Sequence, residues 1–97
     1  MASDVQELTI SYSEEGIELV RELDKEVLTK GAWSTIMFRY QDWDKAKSVY
    51  GPEKYSIRRY RKTNNEYRQQ SKFNISSRDQ ARQIIGALSR WVELPEQ

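Results

Sequence analysis

Apolar and polar positions alternate most cleanly over Trp33–Trp43 (WSTIMFRYQDW), a run of strand formers. There Ile36, Phe38 and Tyr40 fall on one face, and Met37, Arg39, Gln41 and Trp43 on the other. The same two-residue rhythm runs through Lys54–Lys62 (KYSIRRYRK) and Tyr67–Ile75 (YRQQSKFNI), on either side of Asn64-Asn65, a hairpin signal. A strict two-residue loop at Asn64-Asn65 sets Ile57 beside Lys72 and scatters apolar side chains over both faces. A three-residue loop, Thr63–Asn65, pairs Ile57 with Ser71 and Tyr55 with Phe73. It gathers Tyr55, Ile57, Tyr67, Phe73 and Ile75 on one face. Because the buried side selects the register, the three-residue loop is the one expected. The opposite face then presents Lys54, Arg58, Tyr60, Lys62, Arg68, Gln70 and Lys72.

A different period begins at Ser76. Ala81, Ile84, Ile85, Leu88 and Val92 recur at helical spacing, Ser77 and Gln80 are spaced as a capping box, and Pro95 lies beyond the end. A stripe this clean is expected to lie across the apolar face of the sheet. Residues 13–30 fit two patterns. Leu19, Val20, Leu23 and Val27 are spaced for a helix, slightly favoured by periodicity, whereas Leu23, Lys25, Val27 and Thr29 alternate like a half-buried strand. Residues 44–53 read as a loop ending in Gly51-Pro52, and Lys30-Gly31 as a turn. The expected organisation is a mobile acidic arm over residues 1–16, one sheet-plus-helix domain over 17–93, and a tail over 94–97.

Composition narrows the chemistry. At 97 residues the chain suits one domain, and 37% hydrophobic against 32% charged residues suits a thin core, one that a second copy completes. Neither Cys nor His occurs, which removes disulfides, thiol nucleophiles, thiolate metal sites, and the usual general base and metal ligand. Acid pairs occur at Glu14-Glu15 and at Asp42 and Asp44, in no context that buries them, and no phosphate-cradling glycine loop is present. A non-enzymatic protein without metal or cofactor is expected. No apolar run resembles a signal peptide or a membrane span, so a cytoplasmic location is the expectation.

The net charge of +1 hides a division along the chain. Residues 1–26 hold eight acidic residues against Arg21 and Lys25. Residues 54–90 hold ten basic residues against Glu66 and Asp79. Cations on a sheet face neutralise phosphates, and exposed rings give unpaired bases a surface to stack on. A face carrying both suits single strands better than duplexes, whose bases are already stacked. Alternation nominates Arg39 and Trp43, then Lys54, Arg58, Tyr60, Lys62, Arg68 and Lys72. The competing readings are structural: Trp43 closing a small core under the following loop, Arg58 and Arg59 pairing with Glu66 or Glu53, and Trp91 as core or dimer contact. A basic face is equally able to dock an acidic protein partner.

Three segments carry a resemblance. Lys30-Gly31-Ala32-Trp33, Lys54-Tyr55-Ser56-Ile57-Arg58-Arg59-Tyr60 and Lys72-Phe73-Asn74-Ile75-Ser76-Ser77, with Asp42-Trp43 followed by Lys45 and Lys47, together resemble the transcriptional coactivator positive cofactor four (p15) family and its bacterial single-stranded-DNA-binding relatives. The likeness covers Val27 to Trp91, about two-thirds of the chain. It implies an α+β fold, a curved four-stranded antiparallel sheet followed by one C-terminal helix (β-β-β-β-α), with a strand over residues 20–30. It also implies a homodimer whose grooves hold single strands of DNA or RNA. Position by position, the stacking aromatic of the family falls on Trp43, its groove arginine on Arg58 and a basic residue of the last strand on Lys72. Arg61 stands where the family often has a second stacking tryptophan, and Asn74 replaces the glycine before the helix. The resulting candidate interface is Arg39, Trp43, Lys45, Lys47, Lys54, Arg58, Tyr60, Arg61, Arg68 and Lys72.

Overall fold

The computed structural model describes residues 3–93. It is an α+β fold: a curled antiparallel sheet followed by one helix. The strands are β1 (Tyr12–Glu14), β2 (Ile17–Thr29), β3 (Trp33–Asp44), β4 (Val49–Tyr50), β5 (Lys54–Thr63) and β6 (Glu66–Ile75), and the helix is α1 (Arg78–Val92). The order across the sheet is β1-β2-β3-β5-β6, with the short β4 folded onto the end of β3. β3, β5 and β6 are strands that alternation predicts and β2 is the strand that the resemblance implies, but the sheet has six strands rather than four: β1 and β4 are added, the latter inside the stretch expected to be loop.

Segment 17–29 is a strand, and its helix-like spacing has a local cause. The register with β3 slips between Glu22 and Asp24, leaving Leu23 as an extra residue. That bulge lets Val20 and Val27, seven apart, point to the same face, as a helix would also allow. A second slip at Leu28 closes the strand.

The β5–β6 hairpin turns on two residues rather than the expected three. Asn64 and Asn65 both have positive φ (52° and 65°), as a type I′ turn requires, and Thr63 pairs with Glu66. A bulge between Arg59 and Tyr60, opposite Gln70, then shifts the register by one. Ile57 therefore meets Phe73 and Tyr55 meets Ile75, not Ser71 and Phe73. Tyr55, Ile57, Phe73 and Ile75 share a face as expected, but Tyr67, before the bulge, lies on the other.

The two faces of the sheet are covered differently. On one, Ile36, Phe38 and Tyr40 of β3 adjoin Tyr60 of β5, and all are buried. Their cover is not the helix but the segment expected to be an arm. Residues Val5–Glu7 form a 3-10 turn capped by Asp4, and Val5, Leu8 and Ile10 are buried against this core. All three protons of the Lys25 ammonium hold the segment down, donating to the carbonyls of Val5 (3.2 Å), Gln6 (2.9 Å) and Leu8 (2.7 Å). We call this the core face. The predicted tail, 94–97, lies outside the described residues.

The other face carries Met37, Tyr55, Ile57 and Ile75, and α1 stands over it. Ser77 caps the helix, its Oγ accepting from the Gln80 N–H at 3.1 Å, while the Gln80 carboxamide reaches back to the Ser76 N–H at 2.8 Å. The capping box is thus present, displaced by one residue on its return bond. The helix does not close the face. Ala81, Ile84, Ile85 and Leu88 line an open groove of about 560 Å³ with Met37, Tyr55, Ile57 and Ile75. No helix residue is buried, and Trp91 is 70% exposed.

Candidate functional site

The pairing of β3 with β5 decides where the candidate cations point. Ile36 lies opposite Arg58, Phe38 opposite Ser56 and Tyr40 opposite Lys54. Lys54, Arg58, Tyr60 and Lys62 therefore belong to the core face, joined from β6 by Lys72, which pairs with Arg58. Arg39 lies opposite Tyr55 and Trp33 opposite Arg61, while Arg61 meets Arg68. Arg39, Trp43, Arg61 and Arg68 belong to the helix face. The single basic face expected from alternation is thus two: β3 and β5 each alternate as expected but register joins them with opposite phase, and the bulge at Gln70 parts Arg68 from Lys72 on β6.

Individual positions separate further. Tyr60 is 5% exposed inside the core. Burial pushes its phenol above the usual tyrosine value, against the opposing effect of the Arg58 guanidinium; it is a packing residue and offers no ring to a ligand. Trp43 is half-buried, edge-on to Tyr50 of β4 with ring centroids 5.0 Å apart. Tyr50 is fixed in turn by its hydroxyl, which donates to the Glu18 carbonyl (2.8 Å), and by Arg21, whose Cζ lies 3.6 Å from its ring centroid. Trp43 thus packs against the β3–β5 connection through Tyr50. Lys45 and Lys47 are exposed in the tight turn before β4, where Asp44 accepts from the Lys47 N–H.

Ion pairing sorts the cations more sharply than their faces do. Arg39 is shared between Glu53 (3.1 Å) and Asp24 (3.9 Å), and Lys54 meets Asp42 at 2.9 Å. That hydrogen bond holds the Lys54 ammonium pKa above the usual lysine value, outweighing partial burial. Arg21, Arg78 and Arg82 pair with Glu18, Glu53 and Asp79. By contrast, Arg58, Arg59, Arg61, Lys62 and Lys72 have no carboxylate within 4.0 Å among the described residues. Arg68 has only Glu66, at 3.5 Å. Arg58 is held by neutral acceptors, Ser56 Oγ at 3.2 Å and Gln69 Oε1 at 3.2 Å. These five lie together on the β5–β6 hairpin, whose second strand is an edge of the sheet, whereas Lys30, Lys45, Lys47 and Arg90, also without a carboxylate within 4.0 Å among the described residues, lie in the turns and on the helix.

Arg59 and Trp33 were not nominated from the sequence. The signal for Arg59 was present: Arg58-Arg59 and Arg61-Lys62 are neighbours along one strand, so each pair must divide between the two faces. Trp33, 43% exposed, owes its place to the arginines across from it.

Comparison of the chain with protein-family models, curated proteins and solved structures finds no match to any of them. Among the described residues no helix is long and apolar enough to cross a membrane.

Proposed function

We propose that this protein binds single-stranded nucleic acid, DNA or RNA, without strong base preference, and acts as a binding protein rather than an enzyme. The observation that carries the reading is the concentration of unpaired cations on the β5–β6 hairpin. On β2 and β3 Arg21 and Arg39 are matched by carboxylates and Lys25 by backbone carbonyls, and Lys54 at the start of β5 meets Asp42, whereas Arg58, Arg59, Arg61, Lys62 and Lys72, further along the hairpin, have no carboxylate within 4.0 Å among the described residues. Like charges gathered on neighbouring strands repel, so their grouping favours an external polyanion. The N-terminal segment already covers the middle of the core face, so the strand's path is the open edge, across Arg58, Lys62 and Lys72. The resemblance to the positive cofactor four family, with Arg58 and Lys72 in matching places, supports the same ligand. Support of transcription, replication or repair in the cytoplasm is the role this ligand implies.

The active form in this proposal is a homodimer. Ile85, Leu88, Trp91 and Val92 leave the apolar stripe of α1 facing solvent beside an open apolar groove, and a second copy supplies a matching surface.

The test is fluorescence polarisation of a labelled mixed-sequence single strand beside the matching duplex, at several salt concentrations. The expected result is preference for the single strand and affinity falling steeply with salt. A folded protein that ignores both, or that binds an acidic peptide instead, overturns the proposal.

A further inference from the structure

The helix face carries a second basic cluster, at the end of the sheet away from the start of α1. Trp33, at the start of β3, sits opposite Arg61, which sits opposite Arg68; Thr35 sits opposite Arg59. The Arg59 guanidinium carbon lies 4.6 Å from the Trp33 ring centroid and that of Arg61 lies 5.4 Å from it. Two guanidinium groups thus share one exposed indole, and a third cation stands directly across the strand pair. Glu66, beside Arg68, is the one carboxylate paired with any of them among the described residues. Attraction to the indole offsets part of the repulsion but leaves the positive charge uncancelled.

The cluster is also held rigidly. The Tyr67 hydroxyl donates to the Gly31 carbonyl at 2.8 Å, and the Lys62 N–H donates to the Ala32 carbonyl at 2.7 Å. The buried Ser34 hydroxyl closes the same turn against Gly31 at 3.1 Å. The residues leading into Trp33 are therefore fastened to the hairpin that carries the arginines.

We propose that Trp33, Arg59, Arg61 and Arg68 form a second phosphate-contact site. In this inference, which rests on the single-strand reading above, one nucleic-acid strand passes over Arg58 and Lys72 on the core face, rounds the edge of β6 and engages this cluster on the helix face. A guanidinium stacked on a ring keeps its in-plane N–H groups free, the geometry that grips phosphate oxygens in pairs. Among the described residues no further strand lies beyond β6, so the two faces meet at its edge.

The experiment compares labelled oligonucleotides of ~6 and ~15 nucleotides, which bracket typical single-strand site sizes. They are titrated against the full chain, an Arg59→Gln/Arg61→Gln variant and an Arg59→Lys/Arg61→Lys variant that keeps the charge. Each phosphate neutralised on a single strand contributes about 0.7 to the salt slope. The Gln variant is expected to bind the longer oligonucleotide about tenfold more weakly near physiological salt, with a slope shallower by about 1.4. The shorter one is expected to bind nearly as before, and the Lys variant to keep the slope. Unchanged affinity and slope for both lengths in the Gln variant, or a Lys variant that loses the slope although folded, overturn the second site while leaving the single-strand reading standing. Failure of the unsubstituted chain to bind either length overturns that reading itself.

Discussion

Replacing Lys25 by methionine tests how the N-terminal segment is held on the core face. The substitution keeps most of the aliphatic stem and removes the ammonium that satisfies the carbonyls of Val5, Gln6 and Leu8 at 2.7–3.2 Å. A hydrogen bond to a charged group contributes about 1.5–3 kcal/mol net when well shielded. Only the bonds to Val5 and Leu8 are partly buried, the Gln6 carbonyl being exposed, and three bonds to one ammonium are not additive. The expected loss is about 2–3 kcal/mol. For a domain of this size each kcal/mol lowers the melting midpoint by about 4–8 °C, so a fall of about 10–20 °C is expected by thermal denaturation. Limited proteolysis supplies an independent reading, because release of the segment uncovers Ile36, Phe38 and Tyr40. Cleavage is expected first within the opening residues of the variant. A midpoint within about 2 °C of the parent, with no earlier cleavage, would refute the claim that Lys25 anchors the segment.

Two further outcomes follow from the same geometry. Lys54 and Tyr60 both have pKa values raised in the folded state, the first by its bond to Asp42 and the second by burial. A raised folded value contributes stability at pH below the unfolded value and loses it as pH climbs through the folded one. Stability is therefore expected to hold through neutral pH and decline above about pH 10, with Tyr60→Phe flattening part of the decline in denaturant titrations; an unchanged slope counts against the buried phenol. Leu88→Ser/Trp91→Ser is expected to shift the chain from dimer to monomer in sedimentation equilibrium without unfolding it; a parent already monomeric at high concentration removes the dimer from the account.

Much of the fold is legible in the residues, and the losses have definite causes. Strong alternation in Trp33–Trp43, the Asn64-Asn65 turn and the Ser77 cap each lead to an element that is present. What alternation does not reveal is a bulge. Leu23 makes a strand resemble a helix, and Gln70 lets a two-residue turn produce the face grouping that seemed to demand three. The candidate interface residues divide between two faces for a related reason. Both β3 and β5 carry apolar residues on both faces, so pattern alone leaves open which face of one joins which face of the other, and Arg39 and Arg58 part company. The packed N-terminal segment is harder still: Val5, Leu8 and Ile10 follow no period, because a 3-10 turn and an extended stretch lie across the sheet rather than within it.

The proposed interface is made of cations without a carboxylate partner, not of basic residues in general. Its most direct test sets Arg58→Gln/Lys72→Gln against Arg39→Gln/Arg82→Gln, two variants with the same change in net charge, in a single-strand binding titration at fixed salt. The first pair, which has no carboxylate partner among the described residues, is expected to lose about tenfold in affinity near physiological salt, whereas the second pair, matched by Asp24, Glu53 and Asp79, is expected to lose little. Equal losses in the two variants, or a loss confined to the second, would contradict this reading.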